Sequence, residues 1–546
     1  MEAASRKRLA AFKSKYGEHK SSQGAQALSG HDLAPTNWTR RLLAFGGGGD
    51  GQLGCSALLD SSRLSCLKTP CWVSLEAAEG AYDANRKPKA IACGSQVSLA
   101  NMSDGKVFVW GSGLLGCEGG KRRSPRSKRN KTRIPRCIAS LSEIKSVAVG
   151  YQDHCLALAR DGFVYSWGPG SGGRLGHGDM LDQPFPKKVE GLYSVVEIEA
   201  GEMHSMALNQ RGVLYTWGSS KGNQLGHGSK DNDSDDDGQD RESILKPRAL
   251  TYFQDEGLFV LQIACGMNHN AVIAAAQGDV DKLFNNRGDA PSTLETALNS
   301  IDSIMTSLYT WGYGEHGRLG NGLQDESCSV PTLVKLSTSV RNVSAGASHT
   351  VVVTSVGEML GWGNNEFGQV GVEESYNERA ADGNAVVLTP SPVRIPEGVE
   401  ISDTVASVKC GYAHSAAIST NGSVYVWGWN EQGQLGLGDE ISRYQPCHLD
   451  IVNCVRNVQL SLGRAHTSII VERVPGESVD ALNESSGIKS NGSRKKVDPI
   501  AKMREEKERK KAKKLAKKKA KLEKKRALAA AEEAARQKEM QLLKEQ

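Results

Sequence analysis

Short apolar runs recur along this chain and are separated by glycine-containing turns. Between Cys410 and Gly428, two such runs flank Asn421-Gly422, a dipeptide that accepts the positive φ angles of a tight hairpin turn. The same slot holds a glycine in four other copies: Asp104-Gly105, Asp161-Gly162, Arg211-Gly212 and Val356-Gly357. The pattern predicts a β-hairpin with flanking strands in every copy. Because a hairpin cannot bury both of its faces alone, the copies must pack against one another.

Three further motifs repeat in register with the hairpins. Trp-Gly, or Phe-Gly in the first copy, begins at Phe45, Trp110, Trp167, Trp217, Trp311, Trp362 and Trp427. A Gly-x-Leu-Gly block follows most copies, and a Gly-x-x-His turn precedes the later ones, with histidines His154, His204, His269, His349, His414 and His466. A period of about fifty residues is typical of propellers. Equivalent positions of a ring cannot share one catalytic site. We therefore interpret the histidines as buried groups bonded to neighbouring backbone, and the tryptophans as residues that pack blades together.

The order of the motifs predicts how the ring closes. The first Trp-Gly-like strand, Leu42 to Gly46, has no Gly-x-x-His partner, and the last Gly-x-x-His strand, Gly463 to Val471, has no Trp-Gly. Joining these two strands completes one mixed blade. The predicted fold is therefore all-β: a seven-bladed β-propeller closed by pairing of N- and C-terminal strands. The predicted domains are an N-terminal extension (1–39), the propeller (40–472), a flexible linker (473–493) and a basic helical tail (494–546).

These motifs together resemble the repeat of the regulator of chromosome condensation family, over about residues 40 to 472. The first copy departs from the pattern, with Phe45 for Trp and Val97 for His. The resemblance implies a propeller whose founding members promote nucleotide exchange on the small GTPase Ran at chromatin. Other members scaffold complexes, join ubiquitin-ligase or channel systems, or sense light. The fold alone does not choose among these functions.

Composition narrows the class of protein. The chain has 12 cysteines and no Cys-x-x-Cys, no N-terminal apolar signal core and no long apolar run, which argues for a reducing compartment and against secretion or a membrane partner. Cys93, Cys265 and Cys410 each precede a repeat glycine and are interpreted as small buried hydrophobes. We expect no cofactor and no metal site. The best metal candidate, Asp233 to Gly238, resembles an EF-hand opening but has Ile244 where the bidentate glutamate belongs.

Charge is divided unevenly along the chain. Residues 494–526 carry 18 Lys/Arg against 5 Asp/Glu, although the whole chain has a net charge of +6. Two interpretations of this tail stand side by side: a solvated helix or import signal, and an arm that neutralises phosphates on RNA or chromatin. In either case the candidate nucleic-acid or import residues are Lys510, Lys511, Lys513, Lys514, Lys517, Lys518 and Lys519. Without interleaved aromatic residues, binding would be indifferent to sequence.

Insertions into the repeats are the other candidate binding elements. A basic loop (121–133), an acidic loop (229–242) and a polar stretch (373–384) follow Trp-Gly strands and should share one face. Lys121, Arg122 and Arg123 of the basic loop are candidate partner contacts or a second import signal, and the alternative is a disordered surface loop. A fourth insert splits a hairpin. Its capping box (Ser292, Glu295) and apolar stripe ending at Met305 predict an amphipathic helix that packs on the ring.

No nucleophile with a base, metal cluster or phosphate cradle is recognisable, so we predict a non-catalytic regulatory protein-interaction propeller. Variable positions in the Gly-x-x-His turns, Asp153, Glu202 and Arg464, are the candidate contacts for a protein partner. The leading hypothesis places the protein in the nucleus, tethered by its tail to chromatin or ribonucleoprotein. The alternative is a guanine-nucleotide exchange factor for a Ran-type small GTPase, which needs no catalytic group because it acts by binding the nucleotide-free form. Cytoplasm and, from the basic N-terminus, mitochondrion remain as other compartments.

Overall fold

The computed structural model describes residues 40–55, 66–73, 75, 86–117, 130–228, 243–285, 303–380, 382–395, 404–451 and 455–473. The strands β1 (Arg40–Gly47) and β2 (Cys66–Trp72) come first. Six blades follow, each a separate antiparallel sheet whose strands run outward from the axis in chain order, apart from a crossing in blade 5.

The strands of the six blades have the following bounds. Blade 1 contains β3 (Pro88–Cys93), β4 (Val97–Met102), β5 (Val107–Gly113) and β6 (Asn130–Cys137); blade 2 contains β7 (Ile144–Val149), β8 (Cys155–Ala159), β9 (Val164–Gly168) and β10 (Gln183–Lys188); blade 3 contains β11 (Val195–Ala200), β12 (His204–Asn209), β13 (Leu214–Ser219) and β14 (Ser243–Leu250). Blade 4 contains β15 (Leu258–Cys265), β16 (His269–Ala276), β17 (Thr306–Gly312) and β18 (Cys328–Val334); blade 5 contains β19 (Val340–Ala345), β20 (His349–Thr354), β21 (Met359–Asn364), β22 (Glu378–Arg379) and β23 (Ala385–Val393); blade 6 contains β24 (Val405–Cys410), β25 (His414–Ser419), β26 (Val424–Gly428) and β27 (Arg443–His448).

Blade 7 is the mixed blade that closes the ring. Its strand order is β2-β1-β29-β28, with β28 (Val455–Leu462) and β29 (His466–Arg473) from the end of the propeller. In the β1–β29 ladder Leu42 lies opposite Ile470 and Phe45 opposite Thr467. Alternate residues of β1 enter two cores: Leu42 packs with the apolar residues of blade 1, and Phe45 packs with those of blade 6. The predicted seven-bladed propeller and its closure are confirmed.

The repeat tryptophans fill the spaces between blades. All six are fully buried, and five donate the indole N–H to a carbonyl in the Gly-x-Leu-Gly block of the preceding blade, or in a variant of that block. Trp217, for example, donates to the carbonyl of Arg174 at 2.9 Å, and Trp362 to that of Arg318 at 3.0 Å. The bond satisfies a buried donor that would otherwise cost about 1–3 kcal/mol. The two motifs therefore recur together because they meet across every blade junction.

The inserts depart from the sequence-based expectations. Residues 130–133, assigned to the basic loop, belong to strand β6, and part of the polar stretch forms β22, a fifth strand of blade 5. The acidic loop and residues 286–302 of the predicted amphipathic helix lie outside the described residues. Met305, the last residue of the predicted stripe, is exposed and lies outside any α-helix.

Two short α-helices were not predicted: α1 (Tyr252–Asp255) and α2 (Gln277–Asn285). In α2, Gly278 suggests a helix break in the sequence, but the buried Val280 and an ion pair from Lys282 to Asp279 at 2.8 Å hold the turn. At nine residues, α2 is the longest α-helix in the described part of the chain and is too short to cross a bilayer.

Candidate protein-interaction face

The turns between the first and second strands of the blades form a collar at one end of the propeller axis. First strands of neighbouring blades contact one another around the whole ring, so the turns that follow them converge. Backbone bonds join consecutive turns: Tyr151 N donates to Gly201 O at 3.0 Å, and Arg464 N donates to Gly94 O at 3.0 Å. Similar bonds start from Glu202, Met267, Ala347 and Tyr412. The collar is therefore a preformed surface held by its own backbone.

The repeat histidines lie beneath this collar and link the blades through side chains. Each Nε2 contacts a polar side chain of the next blade at 2.7–3.0 Å, in the pairs His154–Ser205, His204–Asn270, His269–Thr350, His349–Ser415, His414–Thr467 and His466–Ser98. The Ser205 hydroxyl in turn donates to the carbonyl of Arg174 at 2.9 Å, so its oxygen accepts from an Nε2–H imidazole. The expected backbone partner was wrong: the partner is a side chain one blade away.

Burial holds these histidines in the neutral form. It lowers the pKa of His204 and His466 to about 4 and that of His349 and His414 to about 3. The pKa values of His154 and His269 are lowered by the same cause. The Nδ1 atoms have no hydrogen-bond partner. Each ring lies directly over the repeat glycine, where an added Cβ would overlap it. Close approach therefore explains the glycine of Gly-x-x-His.

The junction between blades 1 and 2 is built differently. Val97 replaces the histidine, Cys155 stands where the other blades offer Ser, Thr or Asn, and the indole N–H of Trp167 has no partner. His154 follows Gly150 by four residues, so treating it as Gly-x-x-His was wrong. The extra residue is Asp153, which has a φ of 63°. Its Oδ1 accepts from Gln96 N at 2.8 Å and Val97 N at 3.1 Å.

Asp153 therefore links two neighbouring turns of the collar. Burial raises the pKa of its carboxyl to about 6, and the two backbone N–H bonds oppose that shift. The side chain supplies, at the one junction without a histidine link, a bond between neighbouring turns. Asp153 is partly exposed, so its contact with a protein partner stays a prediction.

Glu202 is held in place on the exposed side of the collar. Its Oε1 accepts from Gln152 Nε2 at 2.8 Å, and its Oε2 accepts from Asn268 Nδ2 at 3.0 Å. These residues come from blades 2, 3 and 4, so the carboxylate spans three consecutive turns. Each oxygen keeps a second lone pair for a further donor. The arrangement presents a fixed negative charge at the rim of the axis.

An aromatic group covers the mouth of the axis. Tyr151 of blade 2 meets Tyr412 of blade 6 edge-on, with ring centroids 6.5 Å apart, and its hydroxyl reaches Gly411 O at 3.4 Å. The Arg464 guanidinium lies 5.2 Å from the Tyr412 ring centroid, within cation–π range. Cation, rings and the Glu202 carboxylate thus share one surface.

Two partly buried acids, Glu197 and Glu199, lie below this mouth and were missed by sequence reasoning. Glu197 on β11 accepts from Ile263 N of the next blade at 3.2 Å, as Gln262 does from Val343 N. Burial, with the nearby Glu199, raises the pKa of Glu197 to about 8, so the carboxyl is protonated at neutral pH. Two glutamates in the inner strand VVEIEA were the available signal, because no other inner strand carries an acid at the equivalent positions.

The remaining candidate residues lie outside the described residues. These are Lys121, Arg122 and Arg123 of the basic loop, and the tail residues Lys510, Lys511, Lys513, Lys514, Lys517, Lys518 and Lys519. Within the ranges that are described, no group of three or more His, Cys, Asp or Glu side chains is arranged to hold a metal ion.

The described residues form a closed seven-bladed propeller with a surface of hydrogen-bonded side chains at one end of its axis. The model of the regulator of chromosome condensation (RCC1) repeat matches residues 161–208, 211–273, 307–353, 356–418 and 421–470, and a second model of that repeat matches 340–369 and 405–434. The ultraviolet-B receptor UVR8 of Arabidopsis thaliana is 30% identical over 391 residues, which are 66% of this chain and 81% of that protein. The chain belongs to the RCC1 repeat family.

Two other similarities mark the breadth of this family. The E3 ubiquitin-protein ligase HERC2 of Homo sapiens is 29% identical over 467 residues, 82% of this chain but 8% of that protein. The crystal structure of Prp20p from Saccharomyces cerevisiae, described with its binding to Gsp1p and histones, has a TM-score of 0.61 at 20% identity and covers 82% of this chain and 94% of that one. The latter similarity establishes the fold. Membership is consistent with a regulatory role through protein interaction.

Proposed function

We propose that this protein is a nuclear regulatory propeller that binds a protein partner through its collar face and is tethered to chromatin or ribonucleoprotein by its basic tail. The observation that carries the proposal is the fixed pair of charges on the collar. Glu202 is held between Gln152 and Asn268, and Arg464 lies over Tyr412. Ordering these side chains before binding lowers the entropy cost of association.

The nuclear and tail components rest on charge. Residues 494–526 have a strong excess of Lys and Arg, and lysine-rich segments bind phosphate backbones without reading sequence. The fold neighbour Prp20p is described with its binding to histones, which supports a chromatin setting by analogy. Deletion of residues 494–546 is expected to reduce nuclear retention and to make the remaining association less sensitive to salt. Unchanged retention would contradict the tether.

The face is tested with a paired substitution in the full chain. Glu202→Ala with Arg464→Ala should abolish capture of the partner, identified by quantitative mass spectrometry from nuclear extract. The matched control is Glu190→Ala with Arg160→Ala, which removes the same charges from the opposite end of the propeller, where both residues are exposed. Equal capture by both variants and the unsubstituted protein would contradict the assignment of the face.

A second candidate function is guanine-nucleotide exchange on a Ran-type small GTPase. The observation that favours it is the fold match with Prp20p, described with its binding to Gsp1p, over 94% of that chain. Exchange requires only that the protein bind the nucleotide-free GTPase best. Nucleotide release from a panel of purified small GTPases should be accelerated for one member at substoichiometric protein, and not by the Glu202/Arg464 variant. No acceleration of any member by folded protein would rule out this candidate.

A further inference from the structure

A proline occupies the same register position in the fourth strand, counted from the axis, of every blade. These residues are Pro70, Pro135, Pro186, Pro247, Pro331, Pro390 and Pro446. The residue after each proline lies opposite the residue that precedes the repeat Trp or Phe. Lys187 thus pairs with Ser166, and Arg248 pairs with Thr216. The position after the proline is therefore structurally equivalent around the ring.

Three consecutive blades place a cation at this equivalent position. Arg136, Lys187 and Arg248 occupy it in blades 1, 2 and 3, and we call them the cationic arc. The other four blades carry the uncharged residues Thr332, Ser391, Cys447 and Cys71 there. Lys187 and Arg248 are exposed, and Arg136 is partly exposed. Equal register gives the three charges the same height on neighbouring blades.

The strands that carry the arc reinforce its charge. β6, β10 and β14 contain the further cations Lys131, Arg133, Lys188 and Lys246 and no Asp or Glu. The Lys188 ammonium group lies over the Phe163 ring, 3.2 Å from its centroid, and the Lys246 side chain is exposed. Lys131 has an acidic neighbour, Asp50, at 4.0 Å. The surface is therefore positive along three adjoining outer strands.

The prolines restrict how a partner can bind here. Proline lacks the N–H that a further strand would need, so these edges are poorly suited to take up a peptide by strand addition. A partner would therefore be bound by the regularly spaced positive side chains, which match the regularly spaced negative charges of a polyanion. We propose that the cationic arc binds the phosphate backbone of a nucleic acid. This site lies on the propeller and is separate from the basic tail.

The test uses the full chain with Arg136→Gln, Lys187→Gln and Arg248→Gln together. The control, Lys89→Gln with Lys335→Gln and Arg394→Gln, removes three exposed cations outside the arc. Binding of a labelled duplex DNA and a single-stranded RNA is titrated over a range of salt. Because the tail is present in every protein, it contributes equally, and thermal unfolding confirms that each variant is folded.

The arc variant should show a shallower dependence of log affinity on log salt. Loss of three phosphate contacts lowers the slope by about 2.7 on duplex DNA and about 2 on a single strand, so the unsubstituted protein loses roughly 40-fold more duplex affinity between about 50 and 200 mM salt. Unchanged slopes in the arc variant, or an equal loss in the control, would overturn the proposal. Loss of poly-glutamate binding with unchanged nucleic-acid slopes would do so too, because the arc would then be a site for acidic protein.

Discussion

Acidification should destabilise the propeller through its histidine links. In the folded protein the pKa values of His204, His349, His414 and His466 are lowered to between about 3 and about 4, and those of His154 and His269 are also lowered. In the unfolded chain each histidine titrates near 6.5. Below about pH 6.5 the unfolded state therefore binds more protons, and stability falls as the pH falls.

The size of the effect follows from the shifts. Between pH 7.5 and 5.5 the four histidines whose folded-state pKa values lie between about 3 and about 4 together favour unfolding by roughly 5 kcal/mol. His154 and His269 act in the same direction. The raised pKa values of Glu197, about 8, and Asp153, about 6, act in the opposite direction, because the folded state takes up these protons first. They return about 3 kcal/mol, which leaves a net loss of about 2 kcal/mol from these six groups. Glu199, whose pKa is also raised, acts in the same direction as Glu197. A loss of this size is a substantial part of the roughly 5–15 kcal/mol stability of a typical domain.

Urea unfolding at a series of pH values measures this dependence directly. The free energy of unfolding should fall from pH 7.5 to 5.5, most steeply below pH 6.5. His414→Gln keeps a donor near Thr467 but does not titrate, so its pH dependence should be shallower by about one proton even though the variant is less stable overall. Equal or greater stability of the unsubstituted protein at pH 5.5, or an unchanged slope in His414→Gln, would refute the reasoning.

Three other substitutions test the junctions. Gly201→Ala places a Cβ against the His204 ring and should cost about 1–3 kcal/mol in urea unfolding, whereas Gly278→Ala, which meets nothing within 4 Å, should not destabilise; equal effects would contradict the close-approach argument. Asp153→Ala should cost about 2 kcal/mol because two backbone donors lose their acceptor, and Asp153→Asn should retain most of the stability; a neutral alanine variant would show that the bonds contribute little. Glu197→Gln should gain stability over the unsubstituted protein as the pH rises from about 5 to about 8, because the glutamate of the unsubstituted protein ionises in the unfolded state but stays protonated in the folded state; parallel pH curves would contradict its raised pKa.

The sequence predicted the architecture because the fold depends on local, repeated signals. Trp-Gly and the glycine turns have a spacing that can be counted, and the unmatched strands at Leu42 and Gly463 were enough to predict the closed ring. Contacts between blades were harder to predict from the sequence. Six histidines pointed to a structural role, but their partners stand one blade further along the ring, at positions that no local pattern connects to them.

The missed features share a physical cause. One extra residue before His154 places Asp153 at the junction between blades 1 and 2. The local sequence still resembles the Gly-x-x-His motif closely, so the difference is easily overlooked. The burial of Glu197 depends on how first strands meet at the axis. The charges after the repeat prolines have meaning only when residues such as Arg136 and Lys187 are compared at equal register. Each of these residues is visible in the sequence, but its role becomes clear only when the contacts between blades are known.

Closure through β1 gives this fold an unusual dependence on synthesis order. The apolar flanks of blades 1 and 6 are completed by residues of both β1 and β29. Ile470 must therefore leave the ribosome before Leu42 can pair with it. Until then the incomplete ring exposes the apolar surfaces of its first and last blades, including those that pack against Leu42 and Phe45 in the closed ring. Such surfaces are prone to aggregate or to bind chaperones. Truncation just before β29 should therefore remove far more than one strand's stability, because a single missing strand leaves both ends of the ring unsealed.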